Sequence, residues 1–226
     1  MQDLIRHLPA VIYEYALFPK GDQRFNFVSD ACFDLLGVSD EELITDPFTL
    51  RPILASDAEL DFAAVMESRD YLRYWEQSTW PEDDFTVEAN REDLAKLERR
   101  HASHEAFTYT VLNPAGTECL GCVYFMPTDA RSFTSARITP IGNAEWSDFD
   151  AAVYFWVRKS RLQSGTDRRL LDALRTWVAQ EWQFTGHLLV TNEQFAQQVE
   201  LFEQAGLERR FEIAEPDKPG RYLAYE

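Results

Sequence analysis

An α/β fold is predicted by two features of the chain. From residue 49 onward, strand-like and helix-like segments alternate. One of the strand-like segments, AAVYFWV at 151–157, is apolar on both alternating faces, as a central strand covered on both sides must be. Length agrees, since 226 residues can bury a real core in one large domain, or in one domain with an appendage, without disulfides.

The elements follow in order. FTLRPIL (48–54) is a short strand. DAELDFAAVMESRDYLRYW (57–75) continues as one helix, with Asp57 as its cap and Leu60, Ala64, Tyr71 and Trp75 on one face. Thr86 caps a second helix, VEANREDLAKLERRHASHEA, whose charge leaves one face exposed and puts His101 and His104 at the surface. FTYTVL (107–112) and ECLGCVYFM (118–126) flank the turn NPAGT as an antiparallel pair. The next nineteen residues, 127–145, are rich in turn formers and read as a mobile flap, a substrate-side loop or a plain surface loop. After the central strand and Gly165, a helix carries Leu170, Leu171, Leu174, Trp177 and Val178 at the spacing of a core stripe. HLLVT (187–191) is a strand, EQFAQQVELFEQAGL a helix stopped at Gly206, and RRFEI with RYLAY a terminal hairpin.

The formal charge of −17 argues against attraction to nucleic acid or to anionic lipid, because such binders neutralise phosphates with clustered Lys and Arg. No apolar run reaches the roughly 18 residues of a membrane helix, and Glu14 interrupts the opening segment where a signal peptide would be apolar. The cysteines, Cys32, Cys119 and Cys122, are odd in number and sparse, which fits reduced thiols and a cytoplasmic protein. Cys119 and Cys122 lie three apart on a strand and so should face opposite sides; no metal site is expected of them.

Against this acidic background, residues 158–175 carry a net charge of +4. The bland reading is a solvated helix face. Yet a buried strand, a turn with one glycine and then a helix also point free N–H groups and a helix dipole at a bound phosphate. Gly165 would allow close backbone approach, and Arg168 and Arg169 in the first helical turn suit phosphate oxygens better than they suit the dipole.

The order of elements over residues 49–226 and several local sequences resemble the GNAT N-acetyltransferase superfamily. The resemblance implies a mixed, mostly antiparallel central sheet flanked by helices, acetyl-CoA as cosubstrate, and direct acetyl transfer to a primary amine of a small molecule. By the same resemblance, Gln163, Ser164, Gly165, Thr166, Asp167, Arg168 and Arg169 would hold the pyrophosphate, the backbone of Val157 and Arg158 would align pantetheine, and Asn192 would help to orient the cofactor. Of the family's (Gln/Arg)-x-x-Gly-x-(Gly/Ala) loop only Gly165 matches, with Leu162 and Asp167 at the outer positions and Arg161 and Gln163 close by. Phe202 stands where many members carry a tyrosine proposed to protonate the leaving thiolate, so that role is empty. Asp150 is a candidate general base. The segment YWEQSTWPEDDF would form a wall of the acceptor site, where Trp75, Glu76 and Trp80 suit a cationic amine; the alternative makes the tryptophans core and the acids caps. The competing class of function is a noncatalytic ligand-binding or interaction protein.

Residues 1–48 resemble the start of a PAS domain: two strands across a glycine turn, then short helices with Ser39 and Glu42 spaced as a capping box. A two-stranded remnant leaves edges exposed and should dock on its neighbour or on a second chain, so a homodimer is among the expected outcomes.

Overall fold

The computed structural model describes residues 43–45, 47–182 and 184–226, together with the backbone of strands β1 (Tyr13–Leu17) and β2 (Gln23–Val28). These two strands pair antiparallel. Of the segment read as the start of a PAS domain, residues 43–45, 47 and 48 are also described; the remainder, Cys32, Ser39 and Glu42 included, lies outside the described residues. Residues 1–40 with 175–183 form one compact unit, and residues 41–174 with 184–226 the other.

The larger unit is built on nine strands: β3 (Leu43–Ile44), β4 (Thr49–Pro52), β5 (Phe107–Leu112), β6 (Cys119–Pro127), β7 (Arg137–Pro140), β8 (Ala151–Val157), β9 (His187–Asn192), β10 (Arg209–Ala214) and β11 (Tyr222–Tyr225). Their spatial order is β3-β4-β5-β6-β8-β9-β11-β10-β7. Only β8 and β9 run parallel; every other pair in the sheet is antiparallel, in agreement with the mixed sheet expected. The helices are α1 (Ala58–Glu67), α2 (Arg69–Glu76), α3 (Val87–Ala102), α4 (Arg131–Ser135), α5 (Lys159–Leu162), α6 (Thr166–Glu181) and α7 (Ala196–Gln204).

Alternation sorts the central strands between two cores. On one face Trp156 of β8 is buried with Ile53, Leu72, Trp75 and Leu94 from the α1–α3 side. On the other, Phe155 packs on Phe202 of α7, which in turn meets Tyr225 edge-on. A third group, around Phe149, Leu188, Val190, Phe211 and Ile213, fills the end of the sheet where β7 and β10 lie. Each such side chain removed from water contributes roughly 1.5–3 kcal/mol, which is why the apolar strand 151–157 can sit at the centre.

Several expectations are corrected. The first helix is broken at Ser68, a fully buried residue with φ −99° and ψ 4°, whose hydroxyl accepts the Lys159 N–H. Asp57 does not cap; it closes a short 3-10 turn, and its carboxylate binds Arg51 at 2.6 Å. Thr86 does cap α3, its Oγ1 accepting the Ala89 N–H at 3.1 Å. Residues 127–145 are not one loop, because they contain α4 and the edge strand β7, which pairs with β10. His101 is buried, its Nδ1 bonded to the Thr108 backbone across α3 and β5.

The cysteines are corrected by a bulge. Register runs from Leu112↔Cys119 to Val111↔Gly121, so Leu120 is an extra residue and the alternation skips a step. Cys119 and Cys122 consequently lie in one core. Glycine is required at the bulge because a Cβ on residue 121 would lie 2.1 Å from the Trp156 carbonyl oxygen.

Candidate active site

Strands β8 and β9 pair only through Ala151↔His187, Ala152↔Leu188 and Val153↔Leu189. Beyond that point they part, and the β9-facing groups of β8 must find other partners. Gln198 of α7 donates through Nε2 to the Phe155 carbonyl at 3.0 Å. The Val157 N–H donates to the Tyr71 hydroxyl at 3.1 Å, and that hydroxyl donates to the Val157 carbonyl. One phenol thus serves both groups, as a hydroxyl can. Its ring lies 5.2 Å from that of Phe195, and burial pushes its pKa well above the usual phenol value.

The junction that follows is held largely by acids. Glu67 accepts the Ser160 N–H at 3.1 Å and binds Arg158 at 2.5 Å; the Arg158 hydrogen bond, followed by that of Ser160, pulls its pKa down to about 2. Glu118 binds Arg161 through both oxygens and also faces Arg158 at 3.4 Å. Gly165 is in the left-handed region at φ +69°. Its own N–H turns back to Leu162, while the N–H groups of Thr166 and Asp167, at the mouth of the 16-residue α6, have no acceptor among the described residues. Arg168 binds Asp172 at 3.3 Å, and Arg169 donates to the Ser164 carbonyl at 2.9 Å and to Thr166 Oγ1 at 3.2 Å. Gln163 is exposed.

On the α2 side of the sheet a cavity of about 370 Å³ is lined by Trp75, Glu76, Trp80, Tyr124, Met126, Ser132, Tyr154, Glu215, Lys218 and Tyr222. The end of α2 and the loop after it bring Trp75, Glu76 and Trp80 together there. Tyr124, Tyr154, Tyr222, Glu215 and Lys218 were missed. Tyr154 carried a signal, being the one hydroxyl-bearing residue in an otherwise apolar strand. Ser132 comes from α4, and its hydroxyl is buried without a hydrogen-bond partner among the described residues. Burial pushes the hydroxyl pKa values of Tyr154 and Tyr222 above the usual phenol range. Among the described residues no group of His, Cys, Asp and Glu is arranged to hold a metal ion, and no helix is long and apolar enough to cross a membrane.

The fold as a whole superposes on solved acetyltransferase structures. A ribosomal-protein-S5-alanine acetyltransferase from Vibrio fischeri superposes with a TM-score of 0.59 at 17% identity, covering 82% of this chain and 95% of its own. A microcin C7 self-immunity acetyltransferase, solved with acetyl-CoA and AMP, gives 0.60 at 10% identity, with 85% and 98% covered. The chain has the GNAT acetyltransferase fold. No family model matches the sequence and no curated protein does, so the likeness is one of fold.

Within the GNAT fold two of the sequence-derived site residues are engaged by the protein's own hydrogen bonds. Asn192, fully buried, donates through Nδ2 to the Tyr74 and Trp75 carbonyls at the end of α2 and accepts the Gln194 and Phe195 N–H groups on Oδ1. It ties α2 to the start of α7. Asp150 is exposed, accepts the Thr185 N–H at 2.6 Å, and does not line the cavity. Phe202 is fully buried among aromatic rings and offers no proton.

Proposed function

We propose that the chain is an acetyl-CoA-dependent N-acetyltransferase that transfers an acetyl group to a primary amine of a small molecule by direct attack. The observation that carries this reading is the position of Tyr154: it is the first residue of β8 beyond the last β9 pair, and it also lines the aromatic cavity. The opening between the strands and the acceptor-sized pocket therefore meet at one residue. A volume of about 370 Å³ suits a small molecule or a single side chain.

The residues fit the cofactor at the helix mouth. Gly165, the free N–H groups of Thr166 and Asp167, and Arg168 and Arg169 at the rim would hold a diphosphate, with Gln163 and Ser164 beside them. Along the strand, the backbone of Val157 would take pantetheine once the Tyr71 hydroxyl turns away from it, whereas Arg158, also expected from the sequence, already donates its N–H to the Leu120 carbonyl and accepts the Arg161 N–H on its own carbonyl. Bound acetyl-CoA supplies an activated acyl carbonyl. What this chain's residues supply is alignment along β8, an aromatic wall that excludes water, and carboxylates that receive an amine.

Calorimetric titration with acetyl-CoA, followed by thiol-release assays over a panel of amines, tests the reading. Binding with thiol release supports it, and no binding at about millimolar ligand overturns it. One observation favours a second reading, a noncatalytic GNAT-fold binding protein: Tyr71, Gln198, Glu67 and Ser68 already satisfy the strand edge and the turn. That reading predicts cofactor binding without thiol release from any amine.

A further inference from the structure

The cavity contains an unbalanced charge. Its two carboxylates, Glu76 and Glu215, face one ammonium, Lys218. Lys218 is committed to Glu76, donating to its carbonyl oxygen at 2.6 Å and to Oε1 at 2.8 Å; the Tyr222 hydroxyl adds a bond to the same carbonyl at 3.1 Å. Glu215 forms no ion pair among the described residues. The groups that face it are Lys218, Glu76, Tyr154 and Tyr222. With Lys218 neutralised by Glu76, the site keeps one negative charge, on a partly buried carboxylate walled by Trp75, Trp80 and the tyrosines.

Such a box complements one kind of ligand. Ring faces attract a cation, and a carboxylate shielded from water binds it more strongly than an exposed one would. An anion would meet Glu215 without relief, because Lys218, the one cation among the described residues that line the cavity, is already paired. A dication would find a single unpaired carboxylate.

Resting on the acetyl-transfer reading, we infer that the acceptor is a monocationic amine with an apolar body, and that Glu215 receives its ammonium and removes the proton. The ammonium proton passes to the Glu215 carboxylate, freeing the nitrogen lone pair to form the new N–C bond. As the thioester C–S bond breaks, the electron pair leaves on sulfur; one of the two protons still on nitrogen and the one held by Glu215 go to the thiolate and to solvent, and the last proton stays as the amide N–H. Burial, which raises the Glu215 pKa against the lowering effect of Lys218, suits a group that must accept a proton.

Binding is tested without the cofactor, on the full chain, by quenching of tryptophan fluorescence. The probes are 2-phenylethylamine, 3-phenylpropionate and neutral 3-phenylpropanamide at neutral pH. The amine is expected to bind at least about tenfold tighter than the acid. Glu215→Gln should lower amine affinity by about tenfold and leave the amide within about twofold; because the amide reports an intact pocket, a folding defect is recognised directly. Equal affinity for amine and acid, or unchanged amine affinity in Glu215→Gln, overturns the inference. Glu215-dependent amine binding without thiol release from acetyl-CoA would sink the transfer reading while leaving the ammonium site. Wild-type rates of thiol release in Glu215→Gln would sink the role of Glu215 and leave the transfer reading.

Discussion

Asp61 is the least comfortable residue in the core. It is 5% exposed, it accepts the Asn90 side-chain N–H at 2.9 Å, and burial raises its pKa to about 6 from 3.8, with the Asn90 and Cys119 hydrogen bonds pulling down and Asp57 pushing up. A carboxyl with a raised pKa in the folded state stabilises most below its unfolded pKa, and that contribution is lost as pH rises through the folded value. The window is therefore pH 3.8 to about 6. Asp61→Asn, which keeps an acceptor for Asn90, should raise stability above the window by up to on the order of 3 kcal/mol and give no advantage below it. Urea melts across this range check the sign, and parallel pH profiles for the two proteins would refute it. The same neighbourhood shows why some residues were misread. Strand alternation put Cys119 and Cys122 on opposite sides, and a single extra residue at Leu120 put them on the same one. His101 was placed outside by the polar helix around it, but the bond that draws it in comes from Thr108, on another element.

Among elements, β8 decides most. Its pattern was legible because burial on both faces leaves no polar positions; its splay was not, because a strand's sequence records which faces are covered and not where its edge loses a partner. The tyrosine that takes over that edge belongs to a helix whose apolar face the sequence showed, and Tyr71 was read there as ordinary core. Tyr71→Phe frees the Val157 N–H and carbonyl, which should lower fold stability by about 1–3 kcal/mol. If pantetheine competes for those groups, the same change should tighten CoA binding in a calorimetric titration; weaker binding would mean that Tyr71 helps to hold the ligand. Gly165 gives a complementary test at the other end of the junction. A Cβ there has room, with Arg169 Nη1 the nearest atom at 4.0 Å, so Gly165→Ala acts through the left-handed backbone alone. It should cost on the order of 1–2 kcal/mol and lower CoA affinity with the circular-dichroism spectrum retained. Unchanged affinity would remove the turn from the cofactor site.

At the scale of the molecule, the charge distribution sets how ligands arrive. The chain bears −17, and the basic run at 158–175 that stood out in the sequence is met in space by Glu67 and Glu118 from distant segments, besides its own Asp172. Linear sequence exposed the positive run and hid its acidic complement, since Glu67 ends α1 and Glu118 precedes β6. On the proposed reading an anionic cofactor would approach a mostly repulsive field and be held by short-range donors, whereas a cationic amine would be drawn toward the acidic surface and Glu215. Salt should separate the two. Raising ionic strength from about 20 mM to about 200 mM shortens the screening length from roughly 20 Å to roughly 7 Å, so amine affinity should fall while CoA affinity holds or improves. Titrations of each ligand at both salt concentrations decide it. A CoA affinity that drops several-fold would mean that Arg158, Arg161 or Arg168 leaves its carboxylate to bind phosphate, and the ion pairs at this junction would then be a resting arrangement that the ligand replaces.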